Sequence, residues 1–425
     1  MKNIILNSKN REQSVYFWNM CSSMLNAFQT VFILMIISRI DPIVDAGIFT
    51  IAFAIGNLML TIGNYGIRQF QVSDINRKYC FRDYLITRLV TCTLLAVVSL
   101  IYVGYYYSVG LYNEKKSIVI LLICAAKMID ALEDVFLGMF QQEERLDISG
   151  KILSFRLIGY IGTYILTYCI SQNLILASFF SLIVSVVLFL ALNTYVYKKF
   201  PEKREDFGLK EKRHKVLAGK LLCECFPLFV SAYLVMYVAN APKYAIDKIL
   251  SSQEQACFTY IFMPVFVIGL LSQFVYQPII GKLSLLWHEA QIKEFKQLIR
   301  VQLLVIFLLA LCALGGGALL GTPVLSMIYG VNLSGYRIHL IVLLIGGAFL
   351  AYTYFFQMVL TIMRKQKYLV WGYVIAYIVF IFQGGVVVKK HGLLGISVFY
   401  MLVMAGIALI FAVVSVVIAK RKENG

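Results

Sequence analysis

The sequence predicts an all-α integral membrane protein of about 12 transmembrane helices in two six-helix bundles, with both termini in the cytoplasm. Three observations carry that reading. Of the 425 residues, 60% are hydrophobic and only 14% charged, and apolar runs of about 20 residues, the length a helix needs to cross hydrocarbon, recur from end to end. Lysine and arginine segregate into alternate connecting segments. One half of the chain faintly repeats the other.

In order, the spans read as 14–38, 43–66, 84–108, 117–141, 152–171, 173–197, 221–245, 256–280, 300–322, 338–362, 368–388 and 393–418. The polar N-terminus, MKNIILNSKNREQS, has no apolar core followed by a small-residue cleavage site, so the first span is expected to stay as a permanent helix. The second carries Asn57 and Asn64 among Gly56, Gly63 and Gly66, small and amide residues that favour close helix packing. The third ends near Tyr105, Tyr106, Tyr107 and Tyr112, an interfacial aromatic belt. The ninth contains GGG at 315–317, read as helix packing or a kink. The nine cysteines lie mostly in or beside apolar runs; Cys223 and Cys225 have no nearby His or second pair to complete a metal site, so they read as small packing residues. No metal or cofactor is expected.

Of the 39 Lys and Arg, 29 fall in one alternate set of connecting segments, starting with the N-terminus, and 8 in the other. Positive charge gathers on the cytoplasmic side, which places both termini there. The same rule accounts for the net charge of +17 without nucleic acid. The longest and most basic segment is KKFPEKREDFGLKEKRHK. It divides the chain into a first bundle (1–200), a basic cytoplasmic linker (201–220) and a second bundle (221–425). Membrane lipids are partners of any such chain, and this loop suits their anionic headgroups. GIFTIAFAIGNLMLTIGNYGIRQF (47–70) resembles ACFTYIFMPVFVIGLLSQFVYQPI (256–279), and both have the same orientation. A duplicated, parallel six-plus-six arrangement fits, with a site at the interface between halves.

The fourth span, SIVILLICAAKMIDALEDVFLGMF, carries Lys127, Asp130, Glu133 and Asp134. A charge near the bilayer centre costs at least about 2.5 kcal/mol on insertion scales. On a helical wheel with Lys127 at the origin, Asp130 falls at about 300°, Asp134 at about 340° and Gln141 at about 320°, with Glu133 offset at about 240°. Two readings follow: an internally paired cluster that stitches helices together, or a stripe lining a water-filled path. Intramembrane ionisable residues mark substrate or ion pathways, so Asp130, Glu133 and Asp134 are taken as ion-coupling candidates. Arg39, Lys127, Lys243 and Asp247 are taken as substrate-path candidates. Arg39 and Lys243 fall at the outer ends of the first and seventh spans, where a cationic pair suits a phosphate-bearing cargo. Arg68, Arg88, Arg156 and Glu224 lie near span ends and read as interfacial, snorkelling residues.

LEDVFLGMFQQEERLDISGK with Arg156, the stretch NAPKYAIDKILSSQEQACFTYIFMPVFVIGLLSQFVYQPIIGKLSLLWHEAQIKEF and the first 90 residues together resemble the polysaccharide biosynthesis proteins of the oligosaccharide flippase type. These flippases handle O-antigen or capsule repeat units and belong to the multidrug and oligosaccharidyl-lipid exporter superfamily. The resemblance implies two six-helix bundles forming a V around a central cavity, in a bacterial plasma membrane. It implies a lipid-linked oligosaccharide on undecaprenyl diphosphate as cargo, alternating access, and coupling to H+ or Na+. A polysaccharide polymerase and glycosyltransferases are the implied partners. A drug or metabolite antiporter of the same fold remains open, and the acidic excess of the fourth span fits it. A membrane-integral enzyme of polysaccharide assembly fits less well: the external loops are short, roughly 5–20 residues, and the chain has no His-rich site and no phosphate-cradling glycine loop. The chain is therefore not expected to be an enzyme.

Overall fold

A computed structural model describes residues 11–41, 44–74, 78–199 and 211–423. Residues 201–210 of the basic linker lie outside the described residues. Among those described, every regular element is helical. In chain order they are α1 (Arg11–Ile40), α2 (Asp45–Asn64), α3 (Ile67–Ser73), α4 (Phe81–Ser108), α5 (Glu114–Gln142), α6 (Leu146–Ser171) and α7 (Leu174–Tyr197). There follow α8 (Glu211–Asp247), α9 (Ser252–Tyr276), α10 (Ile280–His288), α11 (Ile292–Gly316), α12 (Thr322–Tyr329), α13 (Arg337–Ile362) and α14 (Gln366–Glu423). Nine long segments among the described residues are apolar enough to cross a membrane by length and composition. The chain is a multi-span membrane protein. α5 is not among the nine, because its ionisable residues dilute its apolar character.

Local chemistry sets several helix ends. Asn113 caps α5, its side chain accepting from the Lys116 backbone N–H at 2.9 Å. Asn173 caps α7 in the same way, accepting from Ile175 and Leu176. Both satisfy donors that a helix N-terminus leaves open. α14 is too long for one crossing: 58 residues at about 1.5 Å each would span nearly three hydrocarbon cores. At Gly392 the backbone leaves helical geometry (φ 57°, ψ −147°), so two helices meet at a corner. Hydropathy places spans on either side of this point, but the expected loop between 388 and 393 is reduced to that corner. The glycine-rich stretch of the ninth span holds a π-helical turn, Gly317–Gly321, between α11 and α12. The polar segment WHEAQIKEFKQL is broken between α10 and α11, where Ala290 takes a positive φ of 57°.

The described residues fall into two compact units, 11–41 with 48–236 and 44–47 with 237–423. In the first, α1 packs on α6, α6 on α7, and α5 on α4 and α7. Its apolar core at one end of α5 gathers Tyr84, Val135, Phe140, Ile148, Ile152 and Leu192. In the second, α13 packs on α14 and α9, and Tyr260 stacks on Tyr329 at 4.3 Å.

The α1–α6 contact depends on a missing side chain. A Cβ on Gly150 would lie 2.7 Å from the Trp18 carbonyl carbon, whereas one on Gly162, further along α6, would meet nothing within 4 Å. Gly150→Ala is therefore expected to destabilise the protein by about 1–3 kcal/mol. Gly162→Ala should be neutral or stabilising by up to about 1 kcal/mol. Thermal unfolding of the detergent-solubilised protein, both variants beside wild type, checks the sign of each.

Candidate functional site

Four ionisable residues in the middle of α5, Lys127, Asp130, Glu133 and Asp134, form two clusters along the helix. In the first, Lys127 donates to Asp130 at 3.0 Å, one helical turn away. Asp130 also accepts from the Arg156 guanidinium of α6 at 2.6 Å, and Arg156 reaches Glu133 at 2.6 Å. Glu133 is fully enclosed at 0% exposure, and Arg156 is 2% exposed. The remaining capacity of this group is taken up by α7: Asn193 donates to Glu133 at 3.2 Å, and Arg156 donates to the Ser185 hydroxyl at 2.9 Å. Two cations and two carboxylates thus balance. Lys127 also sits 4.4 Å from the centroid of the Phe53 ring, a cation–π contact that shields its ammonium.

The second cluster centres on Asp134. Arg88 of α4, fully buried, contacts it at 2.8 Å, and Arg68 of α3 contacts it at 3.1 Å. Arg88 also donates to the Gly63 carbonyl at 2.5 Å and approaches the Asn64 side chain at 3.4 Å. Arg68 continues to Gln141 at 3.0 Å. The expected stripe of Asp130, Asp134 and Gln141 thus exists, and its partners come from three other helices.

Arg88 and Arg156 correct the sequence reading, in which both were interfacial and snorkelling. Each is enclosed by protein and paired with carboxylates of α5. A guanidinium presents a planar fork of donors that can serve two acceptors at once, which is the use made of Arg156. The signal available in the sequence was charge balance: three carboxylates on one helix with one lysine call for further cations on the flanking spans.

A small crevice, with room for about one water molecule, borders the first cluster. Gln29, Lys127, Asp130, Arg156 and Tyr160 line it. Of the ion-coupling candidates, Asp130 reaches this crevice, while Glu133 lies behind it. Among the substrate-path candidates, Arg39 is exposed at the end of α1 and Asp247 is half-buried at the end of α8. Both engage in contacts of their own. Lys243 is buried in the second unit.

No family model matches the chain. CapF of Staphylococcus aureus, a capsular polysaccharide biosynthesis protein, is 23% identical over 330 residues, covering 77% of this chain and 80% of that protein. Among solved structures, an inward-facing multidrug resistance MATE family transporter of the MOP superfamily matches with a TM-score of 0.67 at 12% identity, over 95% of this chain and 96% of that one. An outward-facing MATE family transporter matches with a TM-score of 0.59 at 11% identity, over 100% and 97%. A MOP superfamily transporter from Pyrococcus furiosus gives 0.57 at 13% identity, over 99% and 98%. The chain has the fold of the MATE transporters of the MOP superfamily.

Breaking a buried ion pair by removing one partner costs about 3–5 kcal/mol, whereas replacing the whole group with neutral residues of similar size costs far less. Arg156→Met, which strands Glu133 and leaves Asp130 to Lys127 alone, should lower stability by about that amount. The double variant Arg156→Met with Glu133→Gln, in which Lys127 and Asp130 remain a balanced pair, should recover most of the loss. Denaturant or thermal unfolding in detergent measures both.

Proposed function

We propose that this chain is a transporter that moves an undecaprenyl-diphosphate-linked oligosaccharide repeat unit from the inner to the outer leaflet of a bacterial plasma membrane by alternating access. The observation that carries the cargo is the likeness to a capsular polysaccharide biosynthesis protein over most of the chain. The fold supports transport as the class of activity. In this reading α14 counts as two crossings about Gly392, and α5 and α9 are crossings as well, which with the other long apolar helices makes twelve. Both termini are then cytoplasmic. The chain divides into two bundles joined by the basic segment 201–220, and the function is transport rather than catalysis.

Lys127 and Asp130, which border the crevice, are the residues of the charged helix that this reading places on the path. Arg39, Lys243 and Asp247 are its further path residues. Asp130, Glu133 and Asp134 are kept as candidates for ion coupling by H+ or Na+. Polymerase and glycosyltransferases of polysaccharide assembly are the partners that such a cargo requires. A second reading, a small-molecule antiporter of the same fold, is favoured by the multidrug resistance proteins among the structural neighbours.

Deletion of the gene, with surface polysaccharide scored beside outer-leaflet labelling of the lipid-linked repeat unit, separates the two. The flippase reading expects the repeat unit trapped on the inner leaflet and restored by the wild-type gene. Lys127→Ala, Asp130→Asn and Asp134→Asn, checked for normal expression, are expected to restore it poorly. Normal labelling after deletion, in a strain with no second flippase, would sink this reading in favour of the antiporter.

A further inference from the structure

Lys243 differs from three buried cations of the first unit that belong to the charged clusters. Arg88, Lys127 and Arg156 each face a carboxylate. Lys243, on α8 and 8% exposed, has its Nζ 5.6 Å from the centroid of the Phe262 ring and 5.5 Å from that of Phe266. Among the described residues it makes no ion pair and no hydrogen bond. The face of α9 that it meets is uncharged: Gln255, Thr259, Phe262 and Phe266 recur at helical spacing within an arc of about 60°. Among the described residues, buried Gln255 has no partner for either amide atom. The Tyr400 hydroxyl, whose ring packs on Phe262 at 5.1 Å, has none either. Buried polar atoms of this kind are satisfied by water. Asp247 one turn along α8, Glu254 on α9 and Lys389 and Lys390 on α14 make no pair with Lys243 among the described residues, and phenols (Tyr237, Tyr244, Tyr377, Tyr400) lie on the same elements. Asp247 and Lys248, one turn along its own helix, have contacts of their own.

A group that carries a coupling ion must take it up and release it without wrecking its surroundings. Protonating Asp130 would leave both Lys127 and Arg156 short of a counter-charge, and protonating Asp134 would do the same to Arg88 and Arg68. Removing the proton of Lys243 strands no charge. Returning it places a cation against two aromatic faces that attract one. A lysine amine binds H+ through its lone pair, and its ammonium form repels a metal cation.

We propose that Lys243 is the proton-carrying group of the transport cycle, so that the coupling ion is H+, bound as R–NH2 + H+ ⇌ R–NH3+ in the second unit. The carboxylates of α5 then stay ion-paired and hold the helices of the first unit together. This rests on the transporter reading above.

The test uses the full-length protein in liposomes that contain undecaprenyl diphosphate bearing a fluorescent N-acetylhexosamine, with its leaflet distribution read by dithionite bleaching. With one proton exchanged per cycle, a gradient of about one pH unit holds the wild-type leaflet ratio about tenfold from unity. Lys243→Arg keeps the positive charge but does not release its proton. Its ratio is expected to fall to that of vesicles without a gradient, while the exposed control Lys389→Arg holds the wild-type ratio. A wild-type ratio from Lys243→Arg, or the same ratio produced by a Na+ gradient at uniform pH, overturns the proposal. Should Lys243→Arg block all movement, trace acetylation of wild type in lipid nanodiscs decides. The Lys243 rate is expected to pass through a midpoint within the pH range over which the ratio develops, and a flat rate overturns the proposal. If wild type leaves the lipid probe unmoved under every gradient, the cargo reading fails. The Lys243→Arg comparison is then made with ethidium as the probe, with the same two outcomes.

Discussion

A charge inside hydrocarbon has to be neutralised from within the protein, and the first unit is organised around that constraint. The middle of α5 brings three carboxylates and one lysine, Asp130, Glu133, Asp134 and Lys127, into a stretch otherwise apolar enough to span. Left alone, each would cost several kcal/mol. The neutralising groups come from other helices: Arg88 from α4, Arg156 from α6, Arg68 from α3, with Asn193 and Ser185 from α7 filling the remaining hydrogen-bonding capacity. In lipid the hydrophobic effect does not drive helices together, so close packing and polar contacts must do so. The Gly150–Trp18 approach supplies the first kind between α1 and α6. The ion pairs supply the second around α5.

The long apolar helices were legible because hydrocarbon demands a pattern that can be counted along the chain. The stripe on α5 was legible too, since helical spacing fixes which residues share a face. Depth was harder to read. Arg88 and Arg156 sit near the ends of their spans by hydropathy, and a long cationic side chain at such a place ordinarily reaches for water. What keeps them inside is the carboxylates of α5, some 23 and 46 residues away in sequence. No window centred on either arginine contains that information. The corner at Gly392 was hidden for a different reason. The lysines and histidine at 389–391 signal a loop, and the change of direction is made by one backbone in a conformation that glycine adopts freely.

The likeness to MATE transporters spans nearly the whole chain at identities of 10–14%. What survives at that distance is the apolar patterning that makes helices cross and pack. The polar residues that choose a cargo need not survive with it, and a fold shared among many transporters does not name what they carry. The Pyrococcus furiosus transporter makes the same point for its own case, its binding pocket of reversed polarity suggesting a different function. For this chain the cargo therefore has to be argued from its own charged groups and from the capsule protein it resembles in sequence.

Those charged groups divide into two physical kinds. A closed network such as Lys127–Asp130–Arg156–Glu133 resists change, because altering the protonation of any one member leaves another without its partner. It can hold helices in register and present a fixed surface to the neighbouring crevice. A buried ammonium set against aromatic rings, with no ion pair among the described residues, can lose or regain its charge without unbalancing a neighbour. An alternating cycle needs both kinds: rigid elements that move as bodies, and a charge whose presence differs between the two states. The energy a gradient delivers can bias a conformational equilibrium only through a group that binds its ion differently in the two states. Among the described residues Lys243 is of the second kind, since no carboxylate pairs with it, and the carboxylates of α5 are of the first.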